Sequence, residues 1–177
     1  LFRSQYELRE VTRFEDFAAQ CRYFVEAAAG YRADFVLFPE MLTHQLLSAT
    51  PGKSGASAAK ALAAHTDRYV KFFAELAVKA QVNVIAGSHF TAVKDGTQNI
   101  AYLFRRDGSV GKQPKIHVTP SEKQGWSILP GDAIEVFDTD KGKIAIQICY
   151  DIEFPEPTRL AVERGAKIVF VPFCTDD

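Results

Sequence analysis

Three side chains able to do acid–base or nucleophilic chemistry each sit at the end of an apolar or proline-containing segment. Glu40 ends "DFVLFPE", Lys115 lies in "GKQPKIH", and Cys149 ends "KIAIQIC". The ends of strands and the loops that follow them are where α/β folds build their sites. A carboxylate, an ammonium group and a thiol at such positions are therefore candidates for a covalent hydrolytic site.

Cys149 is the candidate nucleophile because it lies where a predicted strand gives way to a predicted helix. Backbone N–H groups at that junction favour negative charge, so we expect a lowered thiol pKa and an oxyanion-binding position. The alternative is a buried structural cysteine. That alternative is the better interpretation of Cys21, on the apolar face of a predicted helix, and Cys174 stays open.

Glu40 and Lys115 each have a plainer interpretation. An isolated carboxylate at the end of a buried strand tends to have a raised pKa, which suits a general base, but Glu40 taken alone fits a solvated strand-end acid. Lys115 taken alone fits a surface lysine. A Cys–His enzyme is a further alternative, and it would need one of the four histidines beside the thiol: His44, His65, His89 or His117.

The elements that would carry these residues alternate between helices and buried strands, which predicts the α/β class. A capping box of Thr12 and Glu15 would begin a helix that stops at Gly30, and "DFVLF" would follow as a strand buried on both faces. A long helix is expected over about 58–80. Strands "VNVIAGS" and "IAYLFR" would then form a hairpin around "VKDGTQ".

The second half of the chain is predicted to hold fewer helices. Residues 106–126 show almost no hydrophobic periodicity and indicate a long loop. A hairpin around 140–142, a short helix over about 155–164 and a last strand in "KIVFVPF" complete the pattern. The adjacent hairpins favour a mixed sheet over a purely parallel one.

Composition narrows the function classes. The chain has 177 residues, 47% hydrophobic and 24% charged, with a formal net charge of −1, which suits one domain. That balance argues against a nucleic-acid or membrane-surface partner, and no apolar run is long enough to span a membrane. Three cysteines without CxxC spacing disfavour disulfides and zinc and fit a reducing cytoplasm. No sequence pattern indicates a cofactor or a metal.

Taken together, "FPE", "PKIH" and "CYDIEFPE" in this order resemble the nitrilase superfamily of carbon–nitrogen hydrolases. The resemblance implies a catalytic set of Glu40, Lys115 and Cys149, with Glu122 as a supporting second glutamate and the Tyr150 N–H at the oxyanion. It implies hydrolysis of an amide or nitrile through a cysteine thioester, with amidase-like or ω-amidase-like activity favoured. Many members carry arginine where this chain has Glu153, which bears on the substrate group.

The resemblance also implies a fold and partners. The fold is a four-layer α-β-β-α sandwich that extends past Asp177, so that residues 1–177 form the N-terminal part of a carbon–nitrogen hydrolase domain. Dimers or larger homo-oligomers are common in the superfamily. The sequences of the motifs are also similar to those of a bacterial branch in which the hydrolase is fused to an acetyltransferase-like domain. A non-catalytic binding or regulatory domain on the same scaffold is the remaining alternative.

Overall fold

The computed structural model describes Tyr6 and residues 9–50 and 52–174, and in them it confirms the α/β class. The α-helices are α1 (Phe14–Gly30), α2 (Gly55–Ala63), α3 (Thr66–Ala80), α4 (Pro120–Gly125) and α5 (Pro155–Glu163), and 3₁₀ helices cover Leu42–Ala49 and Cys149–Glu153. The strands are β1 (Phe35–Leu37), β2 (Asn83–Val93), β3 (Gly96–Phe104), β4 (Val110–Pro114), β5 (Ile128–Leu129), β6 (Val136–Phe137), β7 (Ile144–Ile146) and β8 (Ile168–Phe170).

The strands form two mixed sheets. In the first, the order is β1-β2-β3-β4, and β5 pairs in parallel with β3. Strand β1 is parallel to β2, whereas β2, β3 and β4 are antiparallel neighbours. In the second sheet, β7 lies between antiparallel β6 and parallel β8. The predicted mixture of hairpins and parallel pairs is therefore correct.

The period of two along the strands sorts side chains between layers. Val84 and Ala86 of β2 face the cluster that contains helices α1, α2 and α3, whereas Ile85 between them faces the second sheet. In β7, Ile144 faces the first sheet while Ala145 packs with Ala161 of α5. Apolar side chains thus pack between the helices and the first sheet, between the two sheets, and between the second sheet and α5.

The predicted long helix over 58–80 is wrong, because two helices cover this region. The chain turns at Ala64 and His65, and the Thr66 hydroxyl donates to the Ala63 carbonyl at 2.8 Å. Such a side chain-to-backbone bond competes with helix continuation. Helix α2 also begins at Gly55, three residues before the predicted start.

The predicted loop over 106–126 is also wrong, since this region contains β4 and α4. Thr119 caps α4: its hydroxyl accepts from the Glu122 N–H at 3.2 Å, and the Glu122 carboxylate accepts from the Thr119 N–H at 3.0 Å. Pro120 occupies the first turn. The sequence "TPSE" is a capping-box pattern, so this helix was readable.

Two smaller expectations at the start of the chain also fail. The cap of α1 is Arg13 rather than Thr12, and it makes no side-chain cap hydrogen bond, although the helix does end at Gly30. Strand β1 lies at the edge of its sheet, and Leu37 is 40% exposed. The apolar run therefore does not mark a strand buried on both faces.

Candidate active site

Lys115 lies between two carboxylates in the interior of the protein. Its Nζ atom is 2.8 Å from Glu40 Oε1 and 2.7 Å from Glu122 Oε2. The three residues are only 1%, 2% and 3% exposed, respectively. The structure thus places together three residues of which the outermost, Glu40 and Glu122, are 82 positions apart in the chain. Neither a solvated acid nor a surface lysine describes them.

Asn99 and Thr119 hold the two carboxylates in place. The Asn99 side-chain amide donates to Glu40 Oε1 at 3.1 Å and to Glu122 Oε1 at 2.9 Å. The Thr119 hydroxyl donates to Glu122 Oε2 at 3.1 Å. The Asn99 backbone carbonyl also accepts from the Lys115 N–H at 2.8 Å. Hydrogen bonds to charged acceptors are stronger than those between neutral groups. These bonds therefore fix the geometry of the cluster.

The position of Glu40 follows from the way β1 leaves the sheet. Phe38 still bonds to the Ile85 carbonyl at 2.9 Å, and Met41 then turns with φ +53° while its N–H donates to Ser88 Oγ at 2.9 Å. The strand β2 has a register irregularity at this point, and Gly87 lies against the Pro39 carbonyl. Glu40 is therefore directed inward by a close backbone contact.

Cys149 occupies the first position of the 3₁₀ helix after β7, with φ +47°. A positive φ is uncommon for a residue with a Cβ atom and is a form of strain found at functional sites. The conformation is maintained by the Cys149 N–H, which donates to the Pro172 carbonyl at 2.9 Å. The thiol is half-buried, and its sulfur lies 4.0 Å from the Cys174 carbonyl oxygen.

The electrostatics of the thiol differ from the sequence-based expectation. Burial and then the charge of Glu40 raise the pKa of Cys149, and the opposing effect of Lys115 is smaller. The expected lowering of the thiol pKa at a helix start is thus wrong, because desolvation and a neighbouring carboxylate outweigh the local N–H groups. Burial also raises the pKa of Glu40 against the effect of Lys115, as a base at this position requires.

Lys115 and Glu122 are each stabilised in the charged form. Burial acts to lower the pKa of Lys115, but Glu40 and Glu122 outweigh it, and the pKa is raised. Burial acts in the opposite sense on Glu122, yet the hydrogen bond and charge of Lys115 hold the pKa of that carboxyl below its usual range. Lys115 is therefore an ammonium and Glu122 a carboxylate at neutral pH.

The histidines are engaged elsewhere. His89 bonds to Thr43 and Thr66, and His44 stacks on Trp126 with ring centroids 4.9 Å apart. His65 stacks on Phe14. His117 bonds to Asp151 through Nδ1 at 3.2 Å. Within the described residues, the thiol of Cys149 has no hydrogen bond with a histidine.

Two contributors were missed from the sequence. Asn99 lies in the middle of strand β3, where nothing in the pattern distinguishes it. Asp151 lies two residues after Cys149, and the sequence assigns it no role, although it is 1% exposed and accepts hydrogen bonds from both sides of the site. Tyr150 is half-buried beside Phe154, and Glu153 is exposed.

A family model described as carbon–nitrogen hydrolase matches residues 4–176 of the chain. The chain belongs to the carbon–nitrogen hydrolase family. This carbon–nitrogen hydrolase chain is 52% identical over 173 residues to "Probable hydrolase YhcX" of Bacillus subtilis, covering 98% of the chain and 34% of that protein. It is 28% identical over 113 residues to "Omega-amidase NIT3" of Saccharomyces cerevisiae, covering 58% of the chain and 39% of that protein.

Solved structures of the nitrilase superfamily share the fold. The hydrolase chain matches a carbon–nitrogen hydrolase from Helicobacter pylori with a TM-score of 0.79 at 24% identity, over 96% of the chain and 59% of that protein. It matches Nit3 of Saccharomyces cerevisiae with a TM-score of 0.77 at 22% identity, over 95% of the chain and 62% of that protein. The chain thus spans about a third of its Bacillus relative and about three fifths of these structures. No helix among the described residues is both long and apolar enough to cross a bilayer.

Proposed function

We propose that this chain carries the catalytic residues of an enzyme that hydrolyses a small amide, or a nitrile, through a thioester on Cys149. The observation that carries the proposal is the buried ammonium of Lys115 between Glu40 and Glu122, with Glu40 close enough to the Cys149 thiol to raise its pKa. Membership in the carbon–nitrogen hydrolase family supports it.

In the first half of the reaction, Glu40 takes the proton of the Cys149 thiol as the sulfur attacks the amide carbon. Lys115 Nζ and the Tyr150 N–H stabilise the resulting oxyanion, and one such donor typically lowers the barrier by about 2.7–4 kcal/mol. The carbon–nitrogen bond then breaks. Glu40 gives its proton to the nitrogen, which leaves as ammonia or an amine. The acyl group remains on sulfur as a thioester.

In the second half, Glu40 takes a proton from water, and the hydroxide attacks the thioester carbon. The carboxylic acid leaves, and the sulfur recovers its proton from Glu40, so that the enzyme returns to its starting state. Glu122 touches neither the thiol nor the acyl group in this scheme. It keeps Lys115 charged and fixed in position through both halves.

The raised pKa of Glu40 favours this scheme over a Cys–His pair. A base must be near the thiol and must have a pKa closer to neutrality than an ordinary carboxylate, and Glu40 meets both requirements. His117, the histidine nearest in sequence to Lys115, is bonded to Asp151 and stacks on Phe154 with centroids 3.8 Å apart. A Cys–His acyl transferase or protease is thus the weaker assignment.

Amides are the favoured substrates. The names of two matching proteins refer to amide chemistry: an ω-amidase of yeast, and an amidase from Nesterenkonia sp. AN1 solved in complex with acrylamide. The exposed position of Glu153, where many family members have arginine, leaves substrate-group recognition to other residues. The complete protein would act as a homo-oligomer in the cytoplasm, consistent with three free cysteines, and an acetyltransferase-like fusion remains part of the proposal.

The proposal is tested by following ammonia release from a panel of small amides and nitriles. The complete reading frame is used as wild type, as Cys149→Ala and as Cys21→Ala, a control that removes a thiol from the helix layer. Release that disappears only in Cys149→Ala supports the proposal. Equal release from wild type and Cys149→Ala contradicts it, and a wild type that releases nothing while binding these amides favours the non-catalytic alternative.

A further inference from the structure

The two segments that bring the ammonium and the thiol together come from different sheets. Lys115 directly follows β4 in the first sheet, and Cys149 lies three residues after β7 in the second. Strand pairing therefore does not determine the distance between Lys115 Nζ and Cys149 Sγ. Contacts between the two loops must do so.

A single buried carboxylate joins these loops. Asp151 Oδ1 accepts from the His117 N–H at 2.7 Å, from the Ile116 N–H at 3.1 Å and from His117 Nδ1 at 3.2 Å. Asp151 Oδ2 accepts from the Ile148 N–H at 3.1 Å and lies 3.4 Å from the Ile116 nitrogen. The donors thus belong to the two residues after Lys115 and the residue before Cys149.

The same carboxylate supports the unusual backbone of the thiol residue. The Ile148 N–H is bonded to Asp151 Oδ2, and the Asp151 N–H returns a bond to the Ile148 carbonyl at 3.0 Å. This reciprocal pair closes the turn in which Cys149 has φ +47°. Residues in sparsely populated conformations persist only when the surrounding structure determines them, and Asp151 is part of that surrounding structure.

We propose that Asp151 is a positioning residue that sets the distance between the Lys115 ammonium and the Cys149 thiol. The inference rests on the proposed function for its catalytic consequence, but its geometric content does not. Asp151 acts through backbone N–H groups and touches neither the substrate nor the reacting atoms. A displacement of about 1 Å at a reacting pair can cost on the order of 10²-fold in rate.

The role requires a carboxylate rather than a residue of similar shape. Both oxygens of Asp151 accept, and the donors on the two sides are all N–H groups. An asparagine would direct its NH₂ group at one set of these donors, because only one of its two terminal atoms can accept. Asp151→Asn should therefore separate the two loops while keeping the volume of the side chain.

The test follows alkylation of Cys149 by iodoacetamide against pH, since the thiolate is the reacting form. The complete reading frame is compared as wild type, Asp151→Asn and Asp132→Asn, a control that makes the same change at an exposed site. Cys149→Ala gives the background alkylation of the other thiols. His117→Ala serves as a second, milder variant if Asp151→Asn does not fold, because it removes only the Nδ1 contact and the stack on Phe154.

In Asp151→Asn we expect the midpoint of Cys149 alkylation to rise by at least half a pH unit, because the ammonium that lowers the thiol pKa moves away, with no change in Asp132→Asn. His117→Ala should shift it less and in the same direction. For amide hydrolysis, we expect a kcat loss of about 10²-fold with KM changed less than about threefold. A midpoint equal to or below that of wild type in the folded variant overturns the inference. Ammonia release that survives Cys149→Ala would overturn the proposed function instead, without affecting the alkylation result.

Discussion

Lys115 Nζ lies 2.8 Å from Glu40 Oε1, and the two side chains are among the most completely buried charges of the described residues. A buried ion pair costs desolvation energy, so its presence is weak support for a role in stability. Removing one partner of the pair is strongly destabilising, because it leaves an uncompensated buried charge. The ammonium is thus required by the fold as well as by the proposed chemistry.

Replacing Lys115 with Met should therefore impair both rate and stability. We expect a loss of about 3–5 kcal/mol in unfolding free energy near neutral pH, since Glu40 and Glu122 are left facing each other. The deficit should shrink as the pH falls, because protonation removes the carboxylate charges. Chemical denaturation at several pH values measures this deficit, with Lys112→Met, at an exposed lysine in the strand that precedes Lys115, as control. A deficit independent of pH would contradict this explanation.

The rate of amide hydrolysis should depend on pH through both sides of the Glu40–Cys149 pair. The raised pKa of Glu40 places the acid limb of kcat/KM above an ordinary glutamate value of about 4.5, because Glu40 must be ionised to accept the proton. The raised pKa of Cys149 places the alkaline limb above an ordinary thiol value of about 9. The limbs belong to the coupled pair rather than to either residue alone. A profile measured from acid to alkaline pH with an alkaline limb below pH 8 would contradict this assignment.

Local pattern was sufficient to single out three of the candidate site residues, whereas Glu122 is identified through the family resemblance. Glu40, Lys115, Glu122 and Cys149 lie at the ends of apolar segments or in the loop that follows one, and the structure brings them together. Helix α5, both predicted hairpins and the last strand were also readable from turn residues and periodicity. These features depend on residues that are neighbours in the chain.

The features that were missed depend on contacts between distant residues. Asn99 is 59 positions from Glu40 and 23 from Glu122, so its bridging role leaves no trace in local spacing. The break between α2 and α3 involves Thr66, whose hydroxyl also bonds to His89 in strand β2. The thiol pKa was mispredicted for the same reason, since Glu40 reaches Cys149 from another strand.

Gly87 should be intolerant of a side chain because it determines where Glu40 lies. Its φ is +64°, and a Cβ atom added there would be 1.9 Å from the Pro39 carbonyl oxygen. We expect Gly87→Ala to cost about 3–5 kcal/mol of stability, combining backbone strain with overpacking, and to reduce kcat in the folded fraction. Gly142→Ala is the matched control, because φ is +105° there but the space is open. Equal losses of stability in the two variants would show that strain alone is responsible.

His89 should make the protein sensitive to acid. Burial, followed by the charges of His65 and His44, lowers the pKa of His89 to about 3, far below its usual 6.5. The Thr66 hydroxyl donates to the Ala63 carbonyl at 2.8 Å and so accepts from His89 Nε2, which leaves Nδ1 to accept from Thr43. The neutral ring is therefore fully satisfied.

Because the unfolded chain binds a proton on His89 near pH 6.5 and the folded chain does not, the stability contributed by neutral His89 is present above pH 6.5. It is lost as the pH falls toward 3, at up to about 1.4 kcal/mol per pH unit. His89→Gln should lower stability at pH 7 yet flatten its decline between pH 6.5 and 4. His65→Gln, which replaces a less buried ring, should flatten this decline in stability less. Unfolding free energies from denaturant titrations at each pH give the slopes, and a slope in His89→Gln as steep as that of wild type would show that the acid sensitivity arises elsewhere.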